Sequence, residues 1–427
     1  MTISQLYDCF LACKGVSTDT RQITEDCLFV ALRGDKFDGN QYAKNALEKG
    51  AKYAIVDNSD FAVDNRYLLV DNSLEALQAL AHYHRKQLTI PIVGLTGSNG
   101  KTTTKELIAV VLSKKYKTYA TKGNLNNHIG VPLTLLAIDS SYEMAVVEMG
   151  ANHQKEIELL CNIAEPTHGL ITNIGKAHLE GFGGIEGVRK GKGELYDWLG
   201  SSGGTVFVNG ANPTLLEMAQ ERHFKESVTY LSNSDAPQML ESSPFVSYQD
   251  TEGNTIQTHL TGRYNFENIV AALSIGSYFG VSDRDAHQAV ADYNPTNNRS
   301  QVIQKGTNTL IMDAYNANPS SMAAAIENFG KLEAERKMVI LGDMLELGAE
   351  SPEEHLALGK LVAQQKFGIV ILAGKLMKDA LPALPKAYYF PDKFSLHNWI
   401  VDHPQHNTHV LIKGSRGMGL ETVVPYL

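Results

Sequence analysis

The stretch Thr96-Gly97-Ser98-Asn99-Gly100-Lys101-Thr102-Thr103 constrains this chain more than any other. It stands between a short apolar run, residues 90–95, and a segment with Leu107, Ile108, Val111 and Leu112 at helical spacing. That order reads as strand, glycine loop, helix. Such a loop points backbone N–H groups at a phosphate, at the positive end of a helix dipole. Lys101 would reach terminal phosphate oxygens, and the Thr102 hydroxyl would hold a divalent metal. The fit to G-x-x-x-x-G-K-[ST] is incomplete, because Leu95 stands where the first glycine belongs. The stretch implies a nucleoside triphosphate without saying what is done with it.

At 427 residues the chain exceeds one ordinary domain, and two or three are expected. A net charge of -9 and the lack of a basic stripe argue against a nucleic-acid partner. They leave room for an anionic substrate, since local pockets decide that. Cys9, Cys13, Cys27 and Cys161 form no C-x-x-C pair, which suggests reduced thiols in a cytosolic protein. Neither a signal-peptide pattern nor an apolar run near the roughly 18 residues of a membrane span is present.

Three α/β units are expected, at 1–88, 89–297 and 298–427. In the first, strands are expected at 27–32 and 53–56, a polar loop at 33–40, and helices at 43–49 and 73–87. In the second, strands are expected at 144–148, 169–172 and 205–208, and an apolar helix at 269–279. The Asn294-Pro295-Thr296-Asn297-Asn298 cluster is turn chemistry and marks the second boundary. In the third, strands at 310–312, 338–341, 369–373 and 409–413 alternate with helical stretches, which implies a parallel sheet.

Several residues sit where open α/β sheets bind ligands, beyond strand ends. Glu148 ends an apolar strand and could ligate magnesium. His178 lies in a strand-end loop, yet a lone histidine reads as a surface or packing residue. Lys192, in Arg189-Lys190-Gly191-Lys192-Gly193-Glu194, reads as part of a solvated or phosphate-binding basic segment, and nothing separates it from Lys190. Asn265 and Asn268 can pair with a base edge or cap a helix. Asp313, Asn316 and Asn318 follow a third-unit strand, as ligand contacts or as a turn.

These pieces occur in one order: T-G-S-N-G-K-T-T, G-N-x-N-N (123–127), E-M-G (148–150), A-H-L-E-G-F-G (177–183), K-G-E (192–194), N-x-x-N (265–268), D-A-Y-N-A-N-P (313–319) and L-I-K-G-S-R (411–416). The order resembles the Mur ligase family, and within it the branch that adds D-alanyl-D-alanine. D-A-Y-N-A-N-P and A-H-L-E-G-F-G are the specific parts; the phosphate loop is shared with folylpolyglutamate synthases.

The resemblance implies an α/β, three-domain Mur ligase architecture with a central P-loop domain and a C-terminal Rossmann-like domain. It implies a ligase that uses ATP and Mg2+ to join D-alanyl-D-alanine to UDP-N-acetylmuramoyl-tripeptide through an acyl phosphate. Gly97 to Thr103 would hold ATP together with Asn265, Asn268, Arg299 and Asp313. Thr102, Glu148, His178 and a carbamoylated Lys192 would hold metal. Thr18, Asp19, Thr20 and Arg21, the 33–40 loop, Asn124, Asn126, Asn127, Asn316 and Asn318 are the substrate candidates. A cytoplasmic monomer without a membrane span is expected. Another amide ligase of the superfamily, or a P-loop kinase, is the competing expectation.

Overall fold

The computed structural model describes residues 1–232, 236–241, 244–296 and 299–427, and the chain is built on three main sheets. The first is parallel, in the order Val16–Ser17, Leu28–Val30, Tyr53–Val56, Tyr67–Leu69. The second has six parallel strands, in the order Glu226–Tyr230, Thr205–Asn209, His168–Ile171, Ile92–Thr96, Met144–Glu148, Thr118–Ala120. A small antiparallel sheet, Gln238–Glu241, Phe245–Gln249 and Thr255–Thr261, follows it. The last sheet runs Gln301–Lys305, Asn308–Asp313, His409–Lys413, Lys337–Gly342, Ile369–Ala373, Tyr388–Phe390.

The four strands expected in that last sheet pair in parallel, but it has one antiparallel strand more. Gln301–Lys305 pairs antiparallel with Asn308–Asp313. Only Gly306 and Thr307 connect them, and Gly306 takes φ +58; so short a link makes a hairpin, whereas a parallel crossover needs a dozen residues or more. The 33–40 segment is likewise not a plain loop. Arg33–Gly34 and Phe37–Asp38 pair as a two-stranded ribbon. The boundary cluster at 294–298 lies partly outside the described residues, at 297 and 298.

Two helices start earlier than their apolar spacing indicates. The loop helix is Lys101–Leu112, and the apolar one is Tyr264–Tyr278. Their first turns carry no hydrophobic period, so the pattern is silent there.

The helix Ser73–Gln87 joins the first two units. Asn72 Oδ1 caps it, accepting from the amides of Leu74 and Glu75. Near its end, Arg85 donates to the carbonyls of Ala164 at 2.8 Å and Glu165 at 3.0 Å. One apolar core runs from Leu28 and Ile55 through Leu77 and Leu80 to Ile92 and Ala145. A second core packs Leu107, Ile108 and Val111 against Ile269, Ala272 and Ile275, and this anchors the loop helix. In a third, Leu179 and Phe182 of the middle unit enter the core of the last one, beside Met322, Leu341 and Met344. Burying each such side chain contributes about 1.5–3 kcal/mol, so the middle and last units are bonded by apolar contact as well as by polar groups. Among the described residues no helix is long and apolar enough to cross a membrane.

Candidate active site

The strand Ile92–Thr96 is buried along its whole length and delivers the glycine loop to the carboxyl edge of the middle sheet. Gly97 has φ +145, and a Cβ there would lie 2.0 Å from Thr172 Oγ1, so only glycine lets the loop pass. Two loop amides are not available to a phosphate. Ser98 N donates to the Asn173 carbonyl and Asn99 N to Asn173 Oδ1, both at 3.0 Å. The helix proper begins with Thr104 N bonding Gly100 O. Its three preceding amides, Lys101, Thr102 and Thr103, have no intrahelical acceptor, and they are the donors left for an anion.

Lys101 folds back on its own loop, donating to the carbonyls of Gly97 at 2.7 Å and Ser98 at 3.2 Å. Burial pulls its ammonium down to about 8, against the opposing pull of Glu148. Glu148 is 1% exposed at its strand end. Its Oε1 accepts from Thr102 Oγ1 at 3.2 Å and from Asn126 Nδ2 at 2.7 Å. Its Oε2 is buried and makes no hydrogen bond among the described residues. Burying a carboxylate oxygen unpaired is unfavourable, and a bound cation would relieve it. Among the described residues no three His, Cys, Asp or Glu side chains are grouped as a metal set. A metal here would draw on Glu148 and Thr102 with ligand oxygens.

A cavity of about 770 Å³ opens over the loop, and it gathers most of the residues singled out in the sequence. Ser98 through Thr103, Asn126, Asn127, Glu148 and His178 line it from the middle unit. Asn265 lines it too, and Arg299, Asp313, Asn316 and Asn318 enter from beyond the second boundary. Gly97 and Asn268 lie just behind the wall; Asn268 donates to Asn265 Oδ1 at 2.9 Å. The Asn265 amide is already used on Thr261 O and Ser300 Oγ. Asn318 is also committed: its Oδ1 caps the helix Pro319–Lys331 and its Nδ2 binds Asn99 Oδ1. Its side chain therefore ties the loop to this helix, and its amide nitrogen keeps a second N–H at the cavity wall.

Other candidates fall outside the cavity. Thr18 to Arg21 lie at the carboxyl edge of the first sheet, where Arg21 pairs with Asp19 and holds that carboxyl at about 2. In the neighbouring ribbon, Asn40 is fully buried and bonds Asp38 and Asp57, a structural use. Asn124 is exposed and does not line the cavity.

Lys192 is the largest departure from the sequence reading. Lys190 is exposed, but Lys192 is 1% exposed in the helix Ile185–Ser202. Its Nζ donates to Ala151 O at 2.8 Å and lies 4.9 Å from the centre of the Phe182 ring. Burial first, and then the Lys101 charge, hold its amine well below the lysine range.

Five residues were given no role in the sequence reading. Asn173 shapes the loop. Tyr315 stacks under Arg299, with the guanidinium carbon 3.6 Å from the ring centre, and Arg416 lies 4.6 Å from it. Lys413, buried at its strand end, donates to Asp313 Oδ2 at 2.6 Å. Glu346 meets His178 Nδ1. Tyr315 lies within D-A-Y-N-A-N-P, and Lys413 and Arg416 lie within L-I-K-G-S-R; a charged residue closing an apolar strand, as in Val410-Leu411-Ile412-Lys413, is a further signal.

Family models match nearly the whole chain: "Mur ligase family, catalytic domain" at residues 12–85, "Mur ligase middle domain" at 95–276, and "Mur ligase, glutamate ligase domain" at 298–416. A Bacillus subtilis (strain 168) protein named UDP-N-acetylmuramoyl-tripeptide–D-alanyl-D-alanine ligase is 36% identical over 422 residues, 96% of this chain and 92% of the relative. The Escherichia coli (strain K12) protein of the same name is 34% identical, over 99% and 97%. A crystal structure of MurF from Acinetobacter baumannii superposes with TM-score 0.87 at 30% identity, over 99% and 98% of the two chains. MurF ligase from Thermotoga maritima, in complex with ADP, gives TM-score 0.83 at 26% identity, over 98% and 97%.

Proposed function

The chain belongs to the Mur ligase family, and from that premise we propose that it joins D-alanyl-D-alanine to UDP-N-acetylmuramoyl-tripeptide. It is an ATP-dependent ligase forming a C–N bond. ATP would phosphorylate the tripeptide's terminal carboxylate, and the dipeptide amine would displace phosphate from the acyl phosphate. The products would be the UDP-muramoyl-pentapeptide, ADP and phosphate.

The observation that carries the assignment of roles is the unpaired Oε2 of Glu148 beside the Thr102 hydroxyl, in a cavity walled by the phosphate loop. Hard oxygen donors at that place suit Mg2+. Thr102 and Glu148 would hold one ion, and His178 with a carbamoylated Lys192 a second. Bound magnesium supplies neutralisation of phosphate charge, which is most of what phosphoryl transfer asks of a protein. Lys101 would leave its loop carbonyls for the terminal phosphate. Burial favours the neutral amine of Lys192, the form that takes up carbon dioxide, and the carbamate would turn a cation into an oxygen ligand.

Asn265, Asn268, Arg299 and Asp313 would contact the nucleotide, with Arg299 and Asp313 coming from a C-terminal domain at 298–427. A central domain at 89–297 would supply the phosphate loop, and water excluded between the two would spare the acyl phosphate from hydrolysis. Asn126, Asn127 and Asn316, all at the cavity wall, would face the muramoyl-peptide. A first domain, 1–88, would hold the UDP end. Its 18–21 and 33–40 segments follow the strands Val16–Ser17 and Leu28–Val30, at the sheet edge where such folds bind ligands. The enzyme is proposed to act as a cytoplasmic monomer.

The test is phosphate release from ATP and magnesium with UDP-N-acetylmuramoyl-tripeptide, with and without D-alanyl-D-alanine. Release that needs both substrates, with a pentapeptide product by mass, supports the reading. Release without the dipeptide points to a kinase-like reaction instead.

A further inference from the structure

The 176–182 segment of the middle unit is gripped by the last one at several points. Lys176 N donates to Ser320 Oγ at 3.0 Å, and Lys176 Nζ pairs with Glu354 at 2.5 Å. Glu180 N donates to the Glu346 carbonyl at 3.4 Å. Leu179 is 3% exposed in the core formed with Met344 and Leu347. At the centre of this contact, His178 Nδ1 bonds Glu346 Oε2.

Both partners of that bond have left-handed backbone. His178 has φ +52 and Glu346 has φ +63, and neither is glycine, asparagine or aspartate. Histidine enters this region more readily than most residues, but for glutamate it is unfavourable and persists where the surroundings over-determine it. Here the two residues, on different units, face each other at the cavity wall. The bond fixes one ring nitrogen only: His178 Nε2 makes no hydrogen bond among the described residues, and His178 lines the cavity.

We propose that Glu346 is a positioning residue that holds His178 with its proton on Nδ1 and its lone pair on Nε2. A carboxylate bonded to one imidazole nitrogen sets the tautomer and makes the other nitrogen a better ligand. Nε2 then takes a divalent cation rather than a phosphoryl oxygen, because a lone pair accepts and does not donate. The carboxylate comes from the last unit, so His178 is prepared only where that unit rests against the middle one. The inference rests on the ligase reading for the role of His178, but the tautomer itself does not.

The test uses the full chain labelled with 15N-histidine, free of substrate and metal, at pH 8.5, where ordinary imidazoles are neutral. Loss of a resonance in His178→Asn assigns the signal. The wild type is expected in the Nδ1–H form, and Glu346→Ala is expected to move His178 toward the Nε2–H form. Glu346→Gln, whose amide oxygen still accepts, should keep the wild-type tautomer. In turnover assays Glu346→Ala should lower kcat about 10- to 100-fold, as loss of such a partner does at metal sites. The KM for ATP should change little, and Glu346→Gln should be less affected. An unchanged tautomer in Glu346→Ala overturns the proposal. So does a raised KM at unchanged kcat, which would make the contact a latch between units and nothing more. Should the alanine variant not fold, Glu346→Gln and Glu346→Lys carry the same comparison, with the lysine variant expected to lose the Nδ1–H form. The spectra need no substrate, so they stand even if the phosphate-release assay fails.

Discussion

Asn318 donates from Nδ2 to Oδ1 of Asn99 at 2.8 Å, tying the first turn of a helix in the last unit to the phosphate loop of the middle one. The same side chain caps its own helix through Oδ1, at 2.9 Å from Ser321 N. The two uses can be separated. Serine caps well but is too short to reach Asn99. Asn318→Ser should therefore leave the melting temperature nearly unchanged and lower kcat/KM for ATP by about tenfold, the scale of one hydrogen bond left unmade. Asn99→Ala combined with Asn318→Ser should lose little more than either alone, since both remove one bond. Fully additive losses would mean that the contact is incidental.

Lys101 makes a prediction about protons. Burial brings its ammonium from the ordinary 10.5 down to about 8 in the free protein. Triphosphate oxygens would raise it again. Between the two values nucleotide binding should take up protons, and affinity should fall as pH rises through 8. Calorimetry at pH 8.5 in buffers of different ionisation enthalpy reads the uptake directly. Lys101→Met should abolish it. For the fold the sign is the reverse of a salt-bridged lysine. The charged form is disfavoured in the native state, so its destabilising effect is full below about 8 and is relieved as pH rises toward 10.5.

The phosphate loop was legible because its chemistry is local: glycines, a lysine and a threonine within eight residues, flanked by the right periodicities. The strand-end acid Glu148 was legible for the same reason. What the sequence hid is pairing at a distance. His178 and Glu346 are 168 positions apart, and Asn99 and Asn318 are 219. No spacing rule connects them. Lys192 was hidden differently. A Cβ on Gly191 would lie 2.4 Å from the Phe182 ring, so this glycine lets the helix close on Phe182 and buries its neighbour. Composition alone makes that stretch basic and solvated, and only the packing shows otherwise. Asn40 and Asn318, both substrate candidates in the sequence, carry hydrogen bonds within the fold.

The Lys413–Asp313 pair should behave as a buried unit. The Lys413 side chain is 2% exposed and Nζ also reaches Asn316 O at 3.2 Å. Removing Lys413 leaves Asp313, 18% exposed at the cavity wall, without its counter-charge, at a cost below the ~3–5 kcal/mol of a fully buried pair. Lys413→Met should thus be destabilised, and Lys413→Met with Asp313→Asn should recover part of that loss. Urea unfolding of the two single variants and the double variant measures it. Equal destabilisation in Lys413→Met and in the double variant would show that the charges do not matter to each other.

Lys192 carries the most demanding prediction, because its amine is buried where an ordinary lysine has no reason to be. Truncation to alanine leaves a space beside Phe182 and the Ala151 carbonyl. If a carbamate supplies oxygen ligands there, Lys192→Ala should lose about 100-fold or more in kcat, the scale of removing a pre-placed electrostatic group. Formate or acetate, small enough for the space, should restore part of it, while chloride at equal ionic strength should not. The wild type equilibrated with 13C-bicarbonate should show a carbamate carbon resonance that the variant lacks. Thermal melting separates this from a packing defect, since filling a void would restore the melting temperature without the anion's specificity. Activity near that of the wild type in the variant, or a rescue that chloride matches, would leave Lys192 as a packed side chain whose hydrogen bond to Ala151 is its whole role.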